Sequence, residues 1–206
     1  MRIHLAAAAL LLCTTIPAGA GELLGRERVE LTPFYGYRFG GHFNALTGDE
    51  REYGIDGAGV YGGLMDINLQ AENFKLEVLW SHQKTEVKTP LFELDVLPLE
   101  IDHFQGGIMQ EVGQPHARFA VSLLLGASRL SSPGLGSETH FSGSLGGSLK
   151  LFASPHLGLR LDGRAYGLRV SGGSEALCTG NGTCYFSFTG SYLWQGEFTG
   201  GLILAF

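Results

Sequence analysis

The sequence predicts an all-β protein: a closed, antiparallel, up-and-down transmembrane β-barrel of about eight strands, with short periplasmic turns and longer extracellular loops. Three observations carry this. Apolar and polar residues alternate with period two in segment after segment. The polar faces are rich in Gly and Ser and hold charges of both signs at mid-strand, which suits a narrow lumen better than a solvated surface. The connections alternate between short and mostly longer gaps.

The segments run as follows. In the first, Val29, Leu31, Pro33, Tyr35, Tyr37 and Phe39 alternate with Glu30, Thr32, Phe34, Gly36 and Arg38. The second spans Gly59 to Leu69, with Asp66 and Asn68 on its polar face. The third sets Phe74, Leu76, Val78 and Trp80 against Lys75, Glu77, Leu79 and Ser81. The fourth, about Leu97 to Met109, is the least regular: Leu97, Leu99 and Ile101 alternate with Glu100 and Asp102. The fifth sets Phe119, Val121, Leu123 and Leu125 against Arg118, Ala120 and Ser122. The sixth sets Phe141, Leu145, Leu149 and Leu151 against His140, Ser142, Ser144, Ser148 and Lys150. The seventh is the clearest, with Leu157, Leu159, Leu161 and Ala165 opposite Arg160, Asp162, Arg164 and Tyr166. The eighth runs from Phe186 to the chain end, and Gln195, Glu197 and Thr199 lie on its polar face.

Short turns are expected at Gln70 to Asn73, Glu111 to His116 and Ala153 to His156. Longer loops are expected at Gly40 to Asp56, Gln83 to Val96, Ser131 to Thr139 and Ser171 to Cys184. Strands can cross lipid only if every backbone N–H and C=O is paired, so such a sheet must close on itself. After residue 20 no apolar run is long enough for a membrane helix.

Residues 1–20 read as a cleaved secretory signal peptide: Arg2 is the charged end, Leu5 to Leu12 the apolar stretch, and Ala18, Gly19 and Ala20 the small-residue cleavage pattern. Residues 21–206 then form the barrel domain. Export implies an oxidising compartment, where Cys178 and Cys184 read as a disulfide. A net charge of −6 argues against a nucleic-acid footprint.

The eight lumen charges Arg38, Lys75, Glu77, Arg118, Arg160, Asp162, Arg164 and Glu197 are expected to form a buried ion-pair network that plugs the barrel, because an unpaired buried charge is costly. His140, Ser142 and Glu138 share one strand face and form the most tempting catalytic set, but the alternation aims them at the lumen. Gly57, Gly59 and Gly62 match a dinucleotide-binding spacing but begin a strand rather than a helix. The other histidines show no metal-ligand spacing, so no catalytic residue, metal or cofactor is expected.

The last residues, Gly200 to Phe206, end a strand on an aromatic residue. This resembles the terminal signal by which outer-membrane barrels are recognised by their assembly machinery. The run Thr32 to Gly41, and Ser81 to Thr85 leaving the third strand, also resemble the small outer-membrane β-barrel domain family, which includes the outer membrane protein A and X types. That resemblance implies a Gram-negative outer-membrane location, in a group that includes structural, adhesive and enzymatic members; the role expected of this chain is non-enzymatic, structural or at the cell surface. The alternatives are a lipid A-modifying enzyme or a narrow pore. The expected partners are outer-membrane lipid and lipopolysaccharide, the barrel-assembly machinery, and an extracellular ligand held by the loops. A monomer that binds no nucleic acid is expected.

Overall fold

The computed structural model describes residues 28–45, 52–71, 73–88, 96–132, 136–169, 175–178, 184–187 and 192–206. The predicted signal peptide lies outside them. The strands in chain order are β1 (Val29–Phe39), β2 (His42–Ala45), β3 (Glu52–Gly54), β4 (Ala58–Ala71), β5 (Phe74–Lys88), β6 (Val96–Gln114), β7 (Ala117–Ser132), β8 (Gly136–Ser154), β9 (Leu157–Arg169), β10 (Glu175–Cys178), β11 (Cys184–Ser187) and β12 (Tyr192–Ala205).

Eight of them close into an antiparallel barrel in the order β1-β12-β9-β8-β7-β6-β5-β4. Closure is by β1, which pairs β4 on one side and β12 on the other. Walking the register from Arg38 through Glu197, Arg164, Gly146, Ser122, Met109, Lys75 and Asn68 returns close to Val29, at the opposite end of β1. The strands are therefore strongly tilted, and residues far apart along β1 share a level of the lumen. No helix among the described residues is long and apolar enough to cross a membrane; strands make the crossing instead.

Side-chain polarity is reversed relative to a water-soluble barrel. On β7, Phe119, Val121, Leu123 and Leu125 face outward and are more than half exposed, while Arg118 and Ser122 face inward and are buried. The same inversion holds on β1, β5, β9 and β12. Such a surface is stable only against hydrocarbon, which fixes the apolar belt as the lipid face. Aromatic rings border the belt: Tyr61 and Trp80 meet edge to face at 6.1 Å, and Phe39 stacks on Phe198 at 6.0 Å.

The long-loop end follows the opposite rule. On β6, Leu99 and Ile101 are buried in the lumen, while Glu100 and Asp102 face out. On β7, Leu130 is buried and Arg129 is exposed. Ile55, Val60, Leu168 and Leu193 complete an apolar fill at this level. This storey stands in water, so its apolar side chains turn inward. The weak alternation of the fourth segment has this cause: β6 crosses from one solvent to the other and its pattern reverses midway.

The shorter strands are continued by a four-stranded sheet ordered β10-β11-β2-β3. Its outer strands come against β8 and β5. It extends the wall above β9, β12, β1 and β4, which end lower than their neighbours. The bend from β1 into β2 uses Gly40 and Gly41, at φ of 86° and 107°, a region open mainly to glycine.

Several expected boundaries shift: β5 runs through Gln83 to Lys88, β2, β3 and β10 lie within expected loops, and the last barrel strand starts at Tyr192, with Phe186 in β11. Ser131 to Thr139 is not a long loop: β7 runs to Ser132 and β8 starts at Gly136. Its Ser, Pro and Gly mimic loop composition, but sixteen ladder pairs draw the strands almost to the tip. Glu111 is not in a turn, because β6 continues to Gln114 and buries the Glu111 carboxylate.

Candidate functional site

The lumen of the membrane storey is filled by charge, as befits a barrel whose interior is just wide enough for side chains. Alternation aims one side chain per two residues inward, and tilt brings those of distant strands to one level. At the lower level Lys150 lies 2.7 Å from Glu30, 2.7 Å from Asp66 and 2.5 Å from Glu111, and is fully buried. Lys75 pairs with Glu30, and with Glu111 at 2.9 Å. Arg118 approaches the same two acids at 3.5 and 3.7 Å, its guanidinium 4.2 Å above the Phe152 ring. Phe152, Ile203 and Ala205 form the buried apolar floor.

At mid-height Arg160 reaches Asp66 at 3.0 Å, Glu77 at 2.5 Å and Asp162 at 2.9 Å. Arg164 shares Glu77 at 2.8 Å and Asp162 at 3.3 Å. Above them Arg38 binds Glu197 at 2.6 Å and donates to the Ser81 hydroxyl at 2.6 Å. The Tyr166 hydroxyl donates to Glu197 at 3.1 Å, and the Tyr166 ring carries Arg38 4.9 Å from its centre and His103 stacked at 4.4 Å. His103 bonds Ser128, which donates to Ser142 at 2.7 Å; Gln105 links Ser142 and Ser144.

All eight charges singled out in the sequence therefore occur in these contacts. Glu30, Asp66, Glu111 and Lys150 belong with them and were not singled out. The first, second and fourth stand on the polar faces of their segments, but alternation gives no cross-lumen neighbours; those depend on tilt. The arrangement can hold the strands in register and fill the bore. Its arginines and lysines are each shared by at least one acid, as burial demands.

The His140 set divides. His140 faces Glu138 at 3.4 Å near the lumen mouth. The Ser142 hydroxyl is buried and is held by Gln105 and Ser128. Sequence reasoning also passed over an outward pair: His82 Nδ1 lies 2.8 Å from the Asp102 carboxylate, with the Tyr61 ring 5.2 Å from the imidazole. The pair sits one outward step above Trp80 and Phe104, at the edge of the lipid belt. A step higher, in the water-facing storey, Lys84 and Glu100 pair at 3.0 Å; their hydrogen bond raises the Lys84 pKa and lowers that of Glu100.

Gly57 precedes β4, and Gly59 and Gly62 lie on it. Cys178 and Cys184 are register partners in the β10–β11 pair. Phe206 follows β12 with its ring exposed on the lipid side, and its backbone bonds Arg28 and Val29 across the barrel closure. Among the described residues no group of three or more His, Cys, Asp or Glu side chains is placed to hold a metal ion.

No protein-family model matches the sequence, and no curated protein matches it. Solved structures do match the fold. Neisserial surface protein A superposes with a TM-score of 0.56 at 9% identity, covering 86% of this chain and 97% of that one. Ail, the attachment invasion locus protein of Yersinia pestis, gives 0.43 at 9% identity over 86% and 99%. The outer membrane protease OmpT of Escherichia coli gives 0.45 at 8% identity over 87% and 97%. The chain thus has the fold of the small outer-membrane β-barrels.

Proposed function

We infer that this chain is a non-enzymatic outer-membrane β-barrel protein, exported by a cleaved signal peptide and working as a monomer in a structural or cell-surface interaction role. The observation that carries the reading is the inside-out polarity of the lower storey combined with a lumen packed by ion pairs below and apolar side chains above. Such a body needs lipid around it, and its filled bore favours a wall-and-loops role over transport. The upper storey and its loops are the part available to an extracellular ligand. The test is planar-bilayer recording with purified protein. Insertion without discrete openings is the expected result; stable unitary conductance would replace the plug by a pore.

The outward His82–Asp102 pair favours a second reading, a lipid-acting enzyme at the membrane surface. A histidine oriented by a carboxylate can accept a proton from an attacking nucleophile. Mass spectra of lipid A from cells with and without the gene separate the readings. Identical spectra support the non-enzymatic one, and a changed acyl pattern that His82→Gln abolishes supports the other.

A further inference from the structure

The lipid-facing wall is uneven. Over most of it leucine and aromatic side chains project, but along β8 and β9 they give way to Gly143, Gly147, Gly163, Ala165 and Gly167. Two hollows result, each of about 450 Å3. The upper is bounded by Phe141 and Trp194, the lower by Phe39, Phe198 and Val121. Leu145 and Ala165 line both, so Leu145 stands as a ridge between two adjoining slots.

Packing does not explain every glycine here. A Cβ at Gly107 or Gly126 would collide with a neighbouring strand's carbonyl oxygen, so those positions need glycine. A Cβ at Gly147 would meet nothing within 4 Å. The space over Gly147 is open toward the lipid, and a bulky apolar residue there would shield more of the wall. Charge marks the upper end. Arg129, paired in register with Thr139, stands one outward step above Phe141 and is exposed, donating to Ser137 at 3.1 Å. Apolar slots below and a guanidinium group above match the division of a phosphorylated lipid into chains and head.

We propose that this face binds one lipid A molecule of the outer leaflet, with neighbouring acyl chains in the hollows on either side of Leu145 and a phosphate at the level of Arg129. The proposal rests on the outer-membrane reading above and adds a site to it. Lipid A is the occupant because the leaflet on the long-loop side of such a barrel is built of it, and several chains on one phosphorylated head suit paired slots.

The test uses the refolded full barrel in phosphatidylcholine vesicles containing a small fraction of lipid A with a photoreactive diazirine in one acyl chain, and maps the cross-linked peptides. Labelling concentrated on β8, β9 and β12 is expected. Filling the slots with Gly147→Leu and Ala165→Leu should reduce it about tenfold, as displacing about two methylenes from an apolar contact would. Gly63→Leu is the control, since Gly63 lies on β4 and a Cβ there also meets nothing; it should leave the labelling unchanged. Arg129→Gln should abolish the preference for lipid A over its dephosphorylated form. Labelling spread evenly around the belt, or equal labelling by diazirine-bearing phosphatidylglycerol, overturns the site while leaving the barrel intact. A protein that fails to insert into the vesicles overturns both.

Discussion

Lys150 shows how the lumen is held at the residue scale. One ammonium on β8 serves three carboxylates from β1, β4 and β6, all buried. Removing it leaves those acids sharing only Lys75, Arg118 and Arg160. Breaking a buried ion cluster from one side costs about 3–5 kcal/mol. Lys150→Met should therefore lower the urea midpoint of the barrel in micelles by a margin read directly from tryptophan fluorescence, and an unchanged midpoint would show that the cluster is not cooperative. Glycines offer a second contrast. Gly126→Ala forces a methyl group onto the Phe104 carbonyl oxygen, whereas Gly147→Ala meets open space. The first should reduce refolding yield and the second should not, as judged by the fraction of heat-modifiable protein on a gel. These acids were only half legible in advance. Glu30 and Asp66 could be placed on polar faces, but their common partner on β8 depends on a tilt that no local pattern encodes.

The individual strands carry most of what the sequence discloses. Period-two alternation on β1, β5, β7, β9 and β12 assigns each side chain to lumen or lipid, because each strand has one face against each environment. It weakens on β6, where Leu99 and Ile101 point inward among polar neighbours. The reason is physical: above the belt both sides of the rule change sign. The Ser131 to Gly136 stretch misleads in the other direction, since turn-forming residues there cap a hairpin whose strands stay paired almost throughout. The β10–β11 pair sets Cys178 opposite Cys184. In the exported chain these two thiols are expected to be bridged. Thiol titration of the denatured mature protein should find none free before reduction and two after it; two free thiols from the start would reject the bridge.

The whole molecule is a barrel of two storeys built for two solvents. In the lower, apolar side chains cover the outside and ion pairs fill the bore; in the upper, charges cover the outside and Ile55, Val60, Leu99, Ile101 and Leu168 fill it. Closure follows from the rule that no backbone polar group stays unpaired in lipid. The upper sheet was not foreseen, because β2, β3, β10 and β11 are short segments that acquire their meaning only as continuations of the wall. The most direct measurement is a nitroxide scan of β7 from Phe119 to Ser132 in lipid vesicles, comparing accessibility to oxygen and to a water-soluble nickel complex. Labels at 119, 121, 123 and 125 should be oxygen-accessible, those at 118, 120, 122 and 124 protected, and the label at the outward position 129 accessible to nickel. Nickel access at 119 to 125 equal to that at 129 would contradict the two-storey barrel.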